Sequence, residues 1–352
     1  MTREEIDKIK NIPIVFIVGK GRSGTTLLQS LLNSHPSVIA PPESKFIVIH
    51  ASRFGKKAKW TRSDIFSFVN VLYTELFFVE FWKLDKQKLT DSLLAAIDYL
   101  DYSLACKIVY YAMHGEKKSI VLLSDKNPFY SIFIPTLLRI FPDARFIHLV
   151  RNPSDNISST LRAFKLKNTI YMSLQWIMFN KIIESNKQSL PERYFTLRYE
   201  DMVSNVKAVM ESVCEFLQIQ FSGEMTDINR TEIKDTYLNE KMAMGENKKS
   251  MLEPISTKNI GKWKKELNAE DISIVESITA NYAFKKYGYQ PDEQNIKSKP
   301  PYFKIAIWKI IYCIWLPFTR LRYKIHSVNV MYSKLKKAMN KNVKPEWGEV
   351  IN

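Results

Sequence analysis

Residues 12–37, IPIVFIVGKGRSGTTLLQSLLNSHPS, constrain the fold more tightly than any other stretch of the chain. A seven-residue apolar run ends at Gly19, and Leu27, Leu28, Leu31 and Leu32 then recur at helical spacing. A strand, a glycine loop and a helix in that order aim the free N–H groups of the helix's first turn at one point. The helix dipole adds to this, so the unit suits an anion. Gly19, Gly21 and Gly24 permit the tight backbone path, Ser23, Thr25 and Thr26 offer hydroxyls, and Lys20 and Arg22 bring charge. The glycine spacing is that of a nucleotide-binding P-loop. Thr25, however, stands where that motif carries the lysine that serves the β- and γ-phosphates. The expected ligand is therefore a nucleotide with one phosphate in the cradle, not a magnesium triphosphate.

The pattern continues as α/β. Further strands are expected over residues 38–40, 119–124, 144–151 and 193–200. Helices are expected near residues 130–141, from Pro153 onward, and from the last strand to about Leu217. Strands separated by helices imply a parallel sheet covered on both faces. Residues 59–116 lose the β signal and are rich in Phe, Trp and Tyr. They read as a helical insert packing its own core, which collectively could also wall an acceptor pocket. Residues 1–296 are expected to form the main domain and residues 297–352 a basic, partly amphipathic tail. Three cysteines without metal-ligand spacing read as thiols in a reducing compartment. No cluster of carboxylates and histidines suits a metal.

Two stretches carry a family resemblance. FIVGKGRSGTTLL followed by SHPSV resembles the donor-binding loop of sulfotransferases that use 3′-phosphoadenosine 5′-phosphosulfate (PAPS). ARFIHLVRNPSDNISS resembles the same family's second signature, a strand ending in Arg with a Ser eight residues on. The resemblance spans roughly residues 12–289 and includes bacterial members related to the tyrosylprotein branch. It implies a P-loop-NTPase-like parallel sheet and PAPS as donor. Lys20, Gly21, Arg22, Ser23, Gly24, Thr25 and Thr26 would lie at the 5′-phosphosulfate end, and Arg151 and Ser159 at the 3′-phosphate. Arg22 and Ser159 stand in the order the family requires. Ser159 is six residues past Pro153, ~9 Å along a helix at about 1.5 Å per residue, which lets it converge with Arg151 on one anion.

Sulfuryl transfer needs a base on the acceptor and cations where charge grows on the leaving phosphate. In APPESKF, Glu43 lies 21 residues after Arg22, matching the base of the tyrosylprotein branch. His35 and His148 read as structural, and His50 remains a rival base. Lys126 in SDKNPF matches a lysine that stabilises the transition state in that branch. Tyr199 matches a tyrosine set against the donor. STKNIGKWKKEL resembles a late loop closing over the donor, with Ser256, Lys258 and Lys262 as its contacts. Ser250 competes with Ser256 for the serine contact, and Arg162 stands one position from a family arginine.

The net charge of +16 is concentrated at one end: twelve of the 52 Lys and Arg residues lie between Lys297 and Lys344, a stretch without Asp or Glu. The remaining 40 basic residues face 34 acidic ones up to Ile296, a balance of only +6. An apolar run over residues 305–318, interrupted by Lys309, is too short for a bilayer needing about 20 residues. It reads either as an interfacial helix on an anionic membrane or as a helix packed on the main domain with a basic exposed face. Nucleic-acid binding is not favoured, since no recognition module accompanies the charge. Residues 1–11 show no apolar signal-peptide core, so the expected location is cytoplasmic, peripheral on the inner face of the membrane if the tail binds it. The resulting expectation is a sulfotransferase acting on a hydroxyl or amine of a small-molecule, carbohydrate or lipid acceptor. The rivals are a P-loop kinase or NTPase and a non-catalytic basic membrane-peripheral binding protein.

Overall fold

The computed structural model describes residues 1–75, 78–117, 119–226, 254–291 and 298–324. Five parallel strands form one sheet: β1 (Ile14–Val18), β2 (Val38–Ile39), β3 (Leu122–Lys126), β4 (Arg145–Val150) and β5 (Tyr194–Arg198), in the order β2-β3-β1-β4-β5. The central strand β1 is buried along its whole length. Ile14, Phe16 and Val18 enter one layer and Val15 and Ile17 the other, so its sequence is uniformly apolar rather than alternating. The chain leaves β1 for the edge at β2, returns through β3, and passes β1 to reach β4. The strand order thus reverses around β1, and the carboxyl ends there form the crevice that open α/β sheets use for ligands.

The first helices are α1 (Arg3–Asn11), α2 (Thr25–Asn33), α3 (Phe46–Phe54), α4 (Arg62–Leu72), α5 (Lys86–Ala95), α6 (Tyr102–Tyr111) and α7 (Ile134–Ile140). They are followed by α8 (Pro153–Phe164), α9 (Thr169–Lys187), α10 (Tyr199–Ser204), α11 (Val206–Leu217), α12 (Trp263–Glu266), α13 (Ala269–Tyr287) and α14 (Tyr302–Lys324). Leu28, Leu31 and Leu32 of α2 share one apolar layer with Met202 of α10 and Met210 and Val213 of α11. The opposite layer takes α1 and α3 to α7.

The aromatic insert packs its rings on one another within the same apolar layer that covers Ile14, Phe16 and Val18, and is not a separate core. Phe46 meets the rings of Phe78, Trp82 and Tyr110 at 6.2, 5.7 and 5.7 Å, and Phe54 meets those of Trp60 and Phe68. Each such side chain buried contributes about 2 kcal/mol. The buried tyrosines have acceptors: Tyr102 donates to the carbonyls of Phe46 and Ile47, and Tyr110 to Asp125 Oδ2 at 2.5 Å.

Element boundaries differ from expectation for local reasons. The strand expected over residues 119–124 begins only at Leu122 and runs to Lys126, because Ser119 turns the chain at φ 54°. The helix expected near residues 130–141 becomes a 3-10 turn, Pro128–Ile132, and then α7 with Pro135 in its first turn. Asn205 divides the helix after β5; its side chain accepts from the Ala208 N–H and so starts α11.

Gly19 ends β1 at φ 147°, and a Cβ there would lie 2.3 Å from the backbone oxygen of Leu149 in β4. Neither backbone can move without opening the sheet. Gly19→Ala is therefore expected to cost more than about 2 kcal/mol of stability in urea unfolding. Gly21→Ala, with nothing within 4 Å of its Cβ position, should stay within about 1 kcal/mol; equal losses would reject this reading.

Candidate active site

The glycine loop leaves the first turn of α2 without a side-chain cap: Gly24, at φ 92°, occupies the N-cap. The first-turn N–H groups therefore lack the usual side-chain acceptor. Arg22 adopts φ 71°, a left-handed conformation uncommon outside glycine. Outside groups hold the path: Ser131 Oγ accepts from the Gly19 N–H at 3.0 Å, and Asn156 Nδ2 donates to Gly21 O at 2.9 Å and to Ser23 Oγ at 3.0 Å.

Beside the loop, Arg22 Nε donates to Ser159 Oγ at 3.3 Å, and Arg151 Nη1 donates to the Arg22 carbonyl at 3.2 Å. The Arg151 guanidinium stacks 4.5 Å over the Tyr199 ring and donates through Nη2 to Asn259 O at 2.6 Å. Its Nε is buried and has no hydrogen-bond partner among the described residues. These hydrogen bonds go to carbonyls and not to a carboxylate. Burial, followed by the charges of Arg151 and Arg162, lowers the pKa of Arg22. A desolvated cluster of like charges favours an anion among them.

Across the loop, Lys126 at the end of β3 donates to Thr26 Oγ1 at 3.2 Å and makes a close ion pair with Glu43. The loop that carries Glu43 is fixed carbonyl by carbonyl. Gln29 Nε2 donates to Ala40 O and Pro41 O, Trp82 Nε1 to Pro42 O, and Asn127 Nδ2 and Tyr130 OH to Ser44 O. Glu43 itself is half-buried at the rim. Asp125, next to Lys126 in sequence, turns to Tyr110 instead; burial pushes its pKa up to about 7.

The late loop reaches the cluster through its backbone. Asp155 accepts from the N–H groups of Gly261 and Trp263, at 2.7 and 3.1 Å, and Trp263 is buried. Ser256 is half-buried before the turn Thr257–Asn259, and Lys258 is exposed. Lys262 and Arg162 both pair with Glu266, which also accepts from Ser158. Ser250 lies outside the described residues.

Residues 13–223 match the sulfotransferase family, more than half of the chain. This chain belongs to the sulfotransferase family. Among curated relatives, it is 23% identical over 298 residues to protein-tyrosine sulfotransferase 1 of Danio rerio, covering 80% of this chain and 75% of that one. Identity is 26% to protein-tyrosine sulfotransferase 2 of Gallus gallus, over 60% of this chain and 53% of the relative. A shorter match, 29% over 125 residues, is to the omega-hydroxy-beta-dihydromenaquinone-9 sulfotransferase of Mycobacterium bovis, covering 32% of this chain and 31% of that enzyme. The sulfotransferase domain of the Synechococcus PCC 7002 olefin synthase shares the fold, with TM-score 0.52, 22% identity, and coverage of 75% of this chain and 94% of that one.

In this sulfotransferase His35, His50 and His148 are each held by partners within the fold. His35 bonds Gln220 O and the Ser37 N–H, and His148 lies between Asn180 and Glu184. His50, the rival base, is buried on Glu75 at 2.8 Å. Asn156 and Asn259, and the hold of Asp155 on the late loop, carry no motif in the sequence. Asn156 lies one turn before Ser159, the one spacing that could have singled it out.

Lys20 is buried, its ammonium 5.9 Å from the Phe179 ring centroid; burial first, then Arg22, lowers its pKa to about 8. Below that pH the folded chain keeps the buried charge. Between it and the ordinary lysine value near 10.4 the unfolded chain binds more protons, so stability rises with pH. Lys20→Met should thus raise the melting temperature at pH 7, relieving up to about 3 kcal/mol, with the gap to wild type closing toward pH ~10. A gap independent of pH would refute the assignment.

Proposed function

We propose that this sulfotransferase takes its sulfuryl group from PAPS and delivers it to a hydroxyl of its acceptor, with Glu43 as general base. The observation that carries the reading is Lys126, whose ammonium joins Thr26 of the anion loop to the Glu43 carboxylate. A base, a cation and a phosphate cradle then lie along one path, the order an in-line displacement needs.

The residues present fit an adenosine bisphosphate. The buried Nε of Arg151, which has no partner among the described residues, and the desolvated cations Lys20 and Arg22 all favour an anion. Arg151 and Ser159 would hold the 3′-phosphate, and the first turn of α2 with Arg22 the 5′ end. Tyr199 supports the Arg151 guanidinium, and Asn259 brings the late loop within reach. PAPS supplies a sulfuryl group on a good leaving phosphate. Glu43 takes the acceptor proton as the new O–S bond forms, and Lys126 with Arg22 stabilises charge on the departing bridging oxygen. Two relatives carry names with hydroxyl-bearing acceptors, a protein tyrosine and an omega-hydroxy menaquinone, which supports oxygen as the nucleophile.

Titration calorimetry with adenosine 3′,5′-bisphosphate, and its release from PAPS in the presence of a panel of hydroxyl acceptors, test the roles separately. Glu43→Gln should bind the bisphosphate within about threefold of wild type while turnover falls by roughly 10²-fold or more. Arg151→Ala should weaken bisphosphate binding by about 10²-fold, the loss of a charge-assisted pair. Unchanged turnover in the first variant, or unchanged affinity in the second, would reject the corresponding role.

A further inference from the structure

Helix α14 buries one stripe and exposes another. Ile305, Tyr312 and Thr319 are buried. Ile305 and Tyr312 pack with Ile170 and Leu174 of α9 and Ile274 of α13, and Trp308 and Tyr312 each meet the Tyr171 ring at 5.7 Å. At ~100° per residue the opposite side carries Phe303, Ile307, Ile310, Ile314, Phe318 and Leu321. All six are exposed, Phe303 to 80%, Ile310 to 65% and Ile314 to 69%. The reading of a packed helix expected this exposed face to be basic, and it is apolar. An exposed apolar row of this length on one helix marks a contact surface.

We propose that this row docks on an anionic lipid bilayer, with α14 lying in the interface and the catalytic domain held against the membrane. Charge selects the occupant. Residues 297–344 hold twelve Lys and Arg and no Asp or Glu, with Lys304 and Lys309 exposed beside the row. A second copy meeting the same face would bring two uncompensated basic stretches together, whereas an anionic surface neutralises them. A groove of about 560 Å³ between α9 and α14 runs beside the row, lined by Ile177, Met178 and Cys313 and by the ammonium-bearing Lys181 and Lys309. Apolar walls with cations suit a phospholipid head and the start of its chains. The window Tyr302–Thr319 is apolar enough to cross a bilayer, but its inner stripe is buried against α9 and α13, so the helix lies along the surface. This inference does not depend on the identity of the sulfuryl donor or acceptor.

Co-sedimentation of the full chain tests it, using vesicles of phosphatidylcholine alone or mixed with phosphatidylglycerol. Wild type should bind the mixed vesicles at least about tenfold better, and salt should release it. Ile310→Asp with Ile314→Asp should lose that binding by about tenfold or more. Both side chains are exposed, so the far-ultraviolet circular dichroism and the melting temperature without ligand should match wild type and certify the fold. Equal pelleting of the double variant, equal binding to both vesicle types, or no binding at all would overturn the proposal. A concentration-dependent dimer abolished by the substitutions, without vesicle binding, would assign the face to a second copy and overturn it as well.

Discussion

Two guanidiniums, Arg22 and Arg151, meet at the carboxyl edge of the sheet, the second donating to the first's carbonyl. Like charges brought together away from water repel, and folding must offset that cost elsewhere. The offset is visible around them. Arg151 is sandwiched between the Tyr199 ring and backbone carbonyls, and its own carbonyl accepts from Trp176 Nε1. Asn152 caps α8 through Asp155 and donates its own N–H to Glu200, which Tyr289 also holds. These contacts brace a cluster of like charges that a bound anion would compensate. The cost of assembling the site is met during folding, which is the condition for electrostatic preorganisation.

Much of this was legible because its signals are local. Strand β1, the glycine spacing and the leucine periodicity of α2 lie within some twenty residues, and Arg151 and Ser159 fall in one strand-to-helix passage. What escaped reading depends on distance along the chain. Asp155 holds the late loop through backbone N–H groups more than a hundred residues away, and Arg151 bonds the Asn259 carbonyl; neither contact has a side-chain pattern to read. The long helices α9 and α13 escaped for another reason. Thr169, Ile170, Met172, Ser173, Leu174, Trp176, Phe179, Asn180 and Ile183 are all buried, so α9 is covered on several sides and has no single apolar face.

The tail shows the limit of composition. Counting charges gave a basic segment, and the exposed face of a packed basic helix is expected to be basic. The helix instead spends Ile305, Trp308 and Tyr312 on the domain while keeping a second apolar row outside. A fourteen-residue apolar run cannot distinguish one apolar face from two, because helical phase matters only once a partner surface is fixed.

The aromatic insert and the Glu43 loop bear jointly on the acceptor. Most of the insert's described rings are consumed in mutual contacts, and Trp82 reaches back to hold Pro42 O. The insert therefore acts first as a buttress for the loop 40–44, whose carbonyls are bonded around Glu43. On the proposed reading, a carboxylate on so rigid a loop would not follow a mobile substrate, and the acceptor hydroxyl would have to be brought to it. Lys126 sharpens that requirement: while it pairs with Glu43 the carboxylate is engaged, and a bound anion beside Thr26 competes for the same ammonium. On the proposed reading, drawing Lys126 toward a bound donor would free Glu43 for the acceptor, and the ion pair would couple occupancy of the phosphate loop to availability of the base.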